Sequence, residues 1–181
     1  MSDSDENQAT FDSELAARLR GEWFHLLDSS LERIRHCTGQ LSEEQIWWRP
    51  DPDMNSVGVL IRHLAGNLQQ WVVTGITEAA DNRDRAAEFE SADQESAEQL
   101  LSLLCQTVDS AKRVIGDLQP GDLLQSRRIQ GFEPTVLGAV MHSLPHFTGH
   151  THQIVQLTRM QLGSRYRYHW TPETPRGSVP I

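Results

Sequence analysis

The sequence predicts an all-α protein, a four-helix bundle with a short extra helix and an extended C-terminal tail. Three observations predict it: four long amphipathic segments, no convincing strand pattern and no internal repeat. The first segment runs from about Phe11 to Gly39, with Leu15, Leu19, Trp23, Leu26, Leu27, Leu31 and Ile34 recurring at three and four residues. Before it, MSDSDENQAT is acidic and polar and reads as a disordered leader over residues 1–10. Gly39 is a stop, and LSEEQIWWRP then holds a short helix opened by Ser42 and closed by Arg49-Pro50 and Asp51-Pro52.

Asn55 or Ser56 caps the second long helix, whose apolar stripe is Val59, Leu60, His63, Leu64, Leu68, Trp71 and Val72. Residues Thr77 to Asp93 are acidic and alanine-rich without a stripe, so they read as a surface connection. The third helix spans about Gln94 to Leu118, ended by Pro120 and Gly121. SRRIQGFEPT is turn-like, at most a small hairpin. The fourth helix begins at Pro134 or Thr135 and ends at Gly163, a natural C-terminal glycine. The expected organisation is a leader over 1–10, a bundle over 11–163 and an extended tail over 164–181.

Composition narrows the function classes. A net charge of −9 over 181 residues opposes a nucleic-acid surface, which needs a basic stripe. The longest apolar runs, WVVTGI and LLSLLC, fall far short of the roughly 18 residues of a membrane span. The start shows neither a basic nor an apolar signal region. Cys37 and Cys105 have no pairing or metal-motif spacing and read as free thiols in a reducing compartment. The expectation is a cytoplasmic protein without nucleic acid or membrane partners.

Eight histidines carry the functional signal. His142, His146 and His150 lie at successive spacings of four, on one helical face. The outer two are about 12 Å apart along the axis at 1.5 Å per residue, too far for one ion. The ligating pair is therefore 142/146 or 146/150. His152 points elsewhere, roughly 200° around from His150. Such a pair also suits carbonyl capping or solvent exposure, but two features weigh against that. His63 sits inside an apolar face between Leu60 and Leu64, and the pair is flanked by Phe147, Ile154 and Val155. Pro145, which removes a helical bond beside His146, adds a local strain of the kind found at sites. His25, His36 and His169 read as surface groups. Trp47, Trp48 and Trp71 read as core aromatics, and no general base stands out: Glu43 and Glu44 suit a cap with Ser42, and Asp28 stands on the first helix.

The segments HLAGNLQQW and PHFTGHTHQIVQL, with LSEEQIWWRP, NSVGVLIRHLAGN and the closing TPETPR, resemble the DinB superfamily of YfiT-like bundles over most of the chain. The resemblance implies a metal, often nickel or zinc, held by one histidine of the second helix and a pair from the last. Carried over by residue, His63, His146 and His150 are the ligands, and His142 is a neighbour one turn early. The HTHQ run departs from the family pattern, with His152 where glycine is common. Asn67, one turn after His63, either lines the pocket or satisfies a buried backbone group.

Neutral imidazoles favour zinc, nickel, copper or iron over magnesium and calcium. Three histidines leave at least one position open, as at catalytic zinc sites. The resemblance implies a metal-dependent enzyme that activates a low-molecular-weight thiol for transfer to an electrophilic substrate. Metal-dependent hydrolysis is the alternative, and a non-catalytic metal-binding stress-response module is the non-enzymatic one. It also implies a homodimer formed through bundle helices.

Overall fold

The computed structural model describes residues 3–90 and 95–170. Its architecture is all-α, with four long helices: α1 (Asp3–Thr38), α3 (Val57–Leu68), α6 (Ala97–Asp117) and α7 (Val136–Leu162). Three short ones join them: α2 (Glu43–Trp47), α4 (Gly75–Thr77) and α5 (Arg85–Glu90). Among the described residues there is no strand, only two isolated antiparallel bridges, Ser126 with Thr135 and Ile129 with Phe132. These form the small hairpin expected in SRRIQGFEPT. No helix is long and apolar enough to cross a membrane among the described residues.

Local chemistry sets the helix starts. Ser42 and Gln45 make a capping box on α2, and Ser96 and Gln99 make another on α6. Ser56 and Thr135 each accept a backbone N–H in the first turn of α3 and α7. Glu43 reaches across instead of capping its own helix: its carboxylate accepts the Ala97 N–H at 3.0 Å and so caps α6 from α2. Gly163, at φ 53°, ends α7 as expected.

Two expected boundaries change. Helix α1 starts at Asp3, so the described part of the leader is helical. Side-chain bonds at i,i+4 support it there: Thr10 donates to the Glu6 carbonyl at 2.9 Å and Gln8 to Asp12 at 2.7 Å. The third helix starts at Ala97; Gln94 lies outside the described residues, as does the 171–181 part of the tail. The described tail is extended after a 3₁₀ turn at Gly163–Arg165, and its Arg167 carbonyl meets His36 Nε2 at 2.5 Å and Gln40 at 3.2 Å on α1.

Helix α1 packs on α7 and α6, and α3 packs on the same two helices. Fully buried Leu27 and Ile34, Leu60, Leu64 and Leu68, Leu100, Leu104 and Ile115, and Leu144, Phe147 and Ile154 fill the shared interior. Burying a side chain of this kind contributes roughly 1.5–3 kcal/mol. Trp71 joins this core, but Trp48 does not and is 39% exposed, because the chain leaves α2 there in an extended conformation. The pairing of α3 with α7 sets a second-helix histidine opposite the histidine face of the last.

Beyond α3 the chain widens into a π-helix, Gln69–Thr74, before α4. Thr74 Oγ1 donates to the carbonyls of Gln69 and Gln70 at 3.2 and 3.3 Å, which stabilises the wider turn. Such π segments recur at functional sites, and this one carries Gln70 and Trp71.

Candidate metal centre

Helix α3 contributes His63, 7% exposed, and α7 contributes the half-buried His146 and His150. One nitrogen from each of the three lies within 4.8 Å of the others. The Nε2 atoms of His63 and His146 face each other at 2.9 Å, and the His63 and His150 rings meet edge-on at 5.2 Å. Of the two candidate pairs, 146/150 is the one that the structure brings together with His63.

The outer nitrogens fix which inner ones are free to bind. His63 Nδ1 lies 2.9 Å from Glu88 Oε2. An ionised carboxylate only accepts, so Nδ1 donates and the Nε2 lone pair points to the centre. His150 Nδ1 lies 2.7 Å from Gln153 Oε1 on the next turn, an amide oxygen that also accepts, so its Nε2 is likewise unprotonated. Pairing a ligating histidine with a carboxylate or amide oxygen orients the ring and raises its basicity.

Glu88 corrects the reading of Thr77–Asp93 as a surface connection. That segment contains α5, and Glu88 is a buried residue on it. Arg83 clamps the same carboxylate from outside, with Nε on Oε1 at 2.6 Å and Nη2 on Oε2 at 2.8 Å. Arg83 Nη2 also stands 3.2 Å from His63 Nδ1, but guanidinium has no acceptor, so the shorter bond to Glu88 decides the tautomer. Nη1 of Arg83 continues to Gln70 Oε1 at 2.8 Å, and Gln70 donates to Asp81 at 2.5 Å. Gly66 on α3 makes room for this network, since a Cβ there would overlap Glu88 Oε1 and crowd Arg83 Nε.

Burial pushes the Glu88 carboxyl up, but the hydrogen bonds from Arg83 and His63 outweigh it and hold it below the usual carboxylate range. Burial, reinforced by His150 and His63, pushes His146 down to about 4. His150 is lowered too, mainly by burial, with the Gln153 bond opposing. At neutral pH both therefore present uncharged imidazoles, the ligating form.

The other expected site residues fall outside the cluster. His142 stacks on Trp71 with centroids 3.8 Å apart, and its ring lies 6.2 Å from that of His146, so it is a neighbour. Asn67 is 5% exposed and its Oδ1 accepts from Ser143 Oγ at 3.0 Å, a buried link between α3 and α7. It fixes helix spacing and satisfies a side chain, not a backbone group. His152 turns to Arg33 on α1. Asp28 is paired with Lys112 at 2.7 Å. Cys37 and Cys105 are free thiols.

Glu88, Arg83 and Gln153 were missed by the sequence reading. The only signal for the first two was Asp84, whose carboxylate caps α5 by accepting the Ala87 N–H at 3.1 Å. Gln153 was legible in principle, three residues past His150.

The donor set fits a divalent transition metal. Tetrahedral zinc with Zn–N bonds of about 2.1 Å separates ligand nitrogens by roughly 3.4 Å. The His63 and His146 nitrogens stand at 2.9 Å, and all three nitrogens lie within 4.8 Å of one another. Among the described residues no further histidine, cysteine or carboxylate joins the three.

A crystal structure described as a conserved protein of locus from Enterococcus faecalis superposes with a TM-score of 0.69 at 16% identity, covering 79% of this chain and 96% of that one. This likeness supports the all-α fold. No curated protein matches the chain. A family model described as a protein of unknown function, DUF1572, matches residues 19–174, which includes His63, Glu88, His146 and His150. The chain belongs to the DUF1572 family.

Proposed function

We propose that this protein is a metal-dependent enzyme that activates a low-molecular-weight thiol for transfer to an electrophilic substrate. The observation that carries the reading is the convergence of His63, His146 and His150 without a fourth protein ligand among the described residues. A structural site closes its coordination shell with protein, whereas a site for chemistry keeps a position open. The resemblance of the histidine segments to the DinB superfamily supports the thiol as nucleophile and nickel or zinc as the ion.

His63, His146 and His150 hold the ion. Glu88 keeps the His63 proton on Nδ1 and the ring in place, and Gln153 does the same for His150. Arg83 neutralises Glu88, so the carboxylate stays ionised beside a buried imidazole. When bound, the ion supplies Lewis acidity and favours the thiolate form of a thiol at its open position.

The test begins with elemental analysis of protein purified without a histidine tag or chelating resin. Protein loaded with zinc or nickel is then incubated with a chlorinated arene and a panel of bacterial low-molecular-weight thiols. The expected result is about one metal per chain and depletion of the arene only when a thiol is present. Depletion without thiol would replace the reading with metal-assisted hydrolysis. No metal, or no reaction across the panel, would reject enzymatic thiol transfer.

A further inference from the structure

We infer that the cleft beside the metal centre, formed by the π-helix, the hairpin and the start of α7, is a binding subsite for an uncharged or cationic planar aromatic ring. The cleft has a volume of about 440 Å³ and is lined by Trp71, Phe132, Glu133, Pro134, Gly138 and His142. That size lies within the roughly 300–1,000 Å³ of small-molecule pockets.

Its exposed rings, Phe132 and His142, are held in fixed places against the buried Trp71. The Trp71 ring stacks on His142 at 3.8 Å with 25° between planes, so each fixes the other. Trp71 Nε1 also donates to Gln130 Oε1 at 3.2 Å, which ties the floor of the cleft to the hairpin. Gln130 and Gly131 have φ of 52° and 82°, the two left-handed residues of a type I′ turn. Paired backbone bonds of 3.0 and 2.9 Å between Ile129 and Phe132 close that turn.

Phe132 therefore stands on a tight hairpin while the residue is 63% exposed. Its ring lies 6.3 Å from Trp71, tilted by 33°. A phenyl ring held this way but contributing little to the core is placed to cover a ligand. Aromatic faces reward flat partners over saturated ones of similar area. Glu133 is the one charged residue on the wall, which disfavours anionic rings and favours cations.

The subsite abuts the centre through His142, whose ring is nearly parallel to that of His146, at 11° and 6.2 Å. None of the three histidines lines the cleft itself, so His142 is the link between the two. As a substrate subsite this assignment rests on the metal reading above, whereas ring binding itself does not.

The experiment titrates metal-free protein with 1-naphthylmethylammonium, cyclohexylmethylammonium and 1-naphthoate by calorimetry. The first probe is expected to bind one site at least tenfold more tightly than either of the others. Phe132→Leu, which keeps apolar bulk but removes the ring, and His142→Ala should each weaken it about fivefold or more. His146→Ala should bind the probe as wild type does, while losing metal. No saturable binding, equal binding of the cyclohexyl probe, or an unaffected Phe132→Leu would overturn the subsite. Metal retained by His146→Ala would instead overturn the metal centre and leave ring binding standing.

Discussion

His63 Nδ1 and Glu88 Oε2 stand 2.9 Å apart, a buried histidine–carboxylate pair joining α3 to α5 behind the face that holds the other two imidazoles. Glu88 should govern metal affinity through His63, without touching the metal itself. Glu88→Gln keeps the shape but lets the amide flip or donate, so the tautomer of His63 is no longer enforced. Affinity is expected to fall about 10- to 100-fold, the usual cost of losing such a partner. Gly66→Ala should act the same way from α3, because its new methyl overlaps Glu88 Oε1. Competition with a chromogenic chelator measures both; wild-type affinity in both variants would show that Glu88 does not orient the ligand.

Loss of any one ligand should abolish stoichiometric binding. His63→Ala, His146→Ala and His150→Ala are each expected to bind less than a tenth of the wild-type metal under the same chelator pressure. Helical content should persist, since the core side chains around them are unchanged. Gln153→Leu, which removes only the oxygen facing His150 Nδ1, should retain metal but with weaker affinity. Full occupancy in any of the three alanine variants, by elemental analysis, would remove that residue from the site.

The four long helices were legible because each repeats its apolar spacing over three or more turns, and two of them start at caps the sequence displays, Ser56 and Thr135. The cluster of His63, His146 and His150 was legible in part, for a related reason. A histidine between Leu60 and Leu64 is anomalous on an apolar face, but the ladder on α7 left 142/146 and 146/150 open, and the resemblance to the DinB superfamily pointed to the second pair. Helix α5 was not legible: six residues, RAAEFE, are under two turns, and the one it buries is a charged glutamate. Burial of Glu88 depends on His63, 25 residues earlier, and on Arg83, and no local pattern encodes that pairing. The π-helix was hidden too, since QQWVVT reads equally well as ordinary helix.

Asn67 tests whether proximity to His63 in sequence means participation in binding. Its carboxamide oxygen accepts the Ser143 hydroxyl inside the α3–α7 interface. Asn67→Ala leaves that buried hydroxyl unpaired, at a cost of about 1–3 kcal/mol. For a chain of this length each kcal/mol lowers Tm by about 2–4 °C. Metal stoichiometry should stay at the wild-type value. A variant of unchanged Tm that loses its metal would return Asn67 to the pocket lining.

Acid should destabilise the metal-free protein in a window set by His146. Burial, then His150 and His63, lowers that imidazole to about 4 in the folded chain, against about 6.5 when unfolded. Between those values the unfolded chain takes up the proton first, so stability present above about pH 6.5 declines on acidification and this contribution levels off near pH 4. His150, lowered mainly by burial, acts in the same direction. Glu88, held below the usual carboxylate range, adds its own loss only at lower pH. Urea midpoints of metal-free protein measured from about pH 7 down to pH 4 should therefore fall, and those of His146→Gln should fall less steeply. Equal slopes in the two proteins would mean that His146 gains its proton as easily folded as unfolded. Bound metal should deepen the dependence, because protons then compete for the nitrogens that hold it.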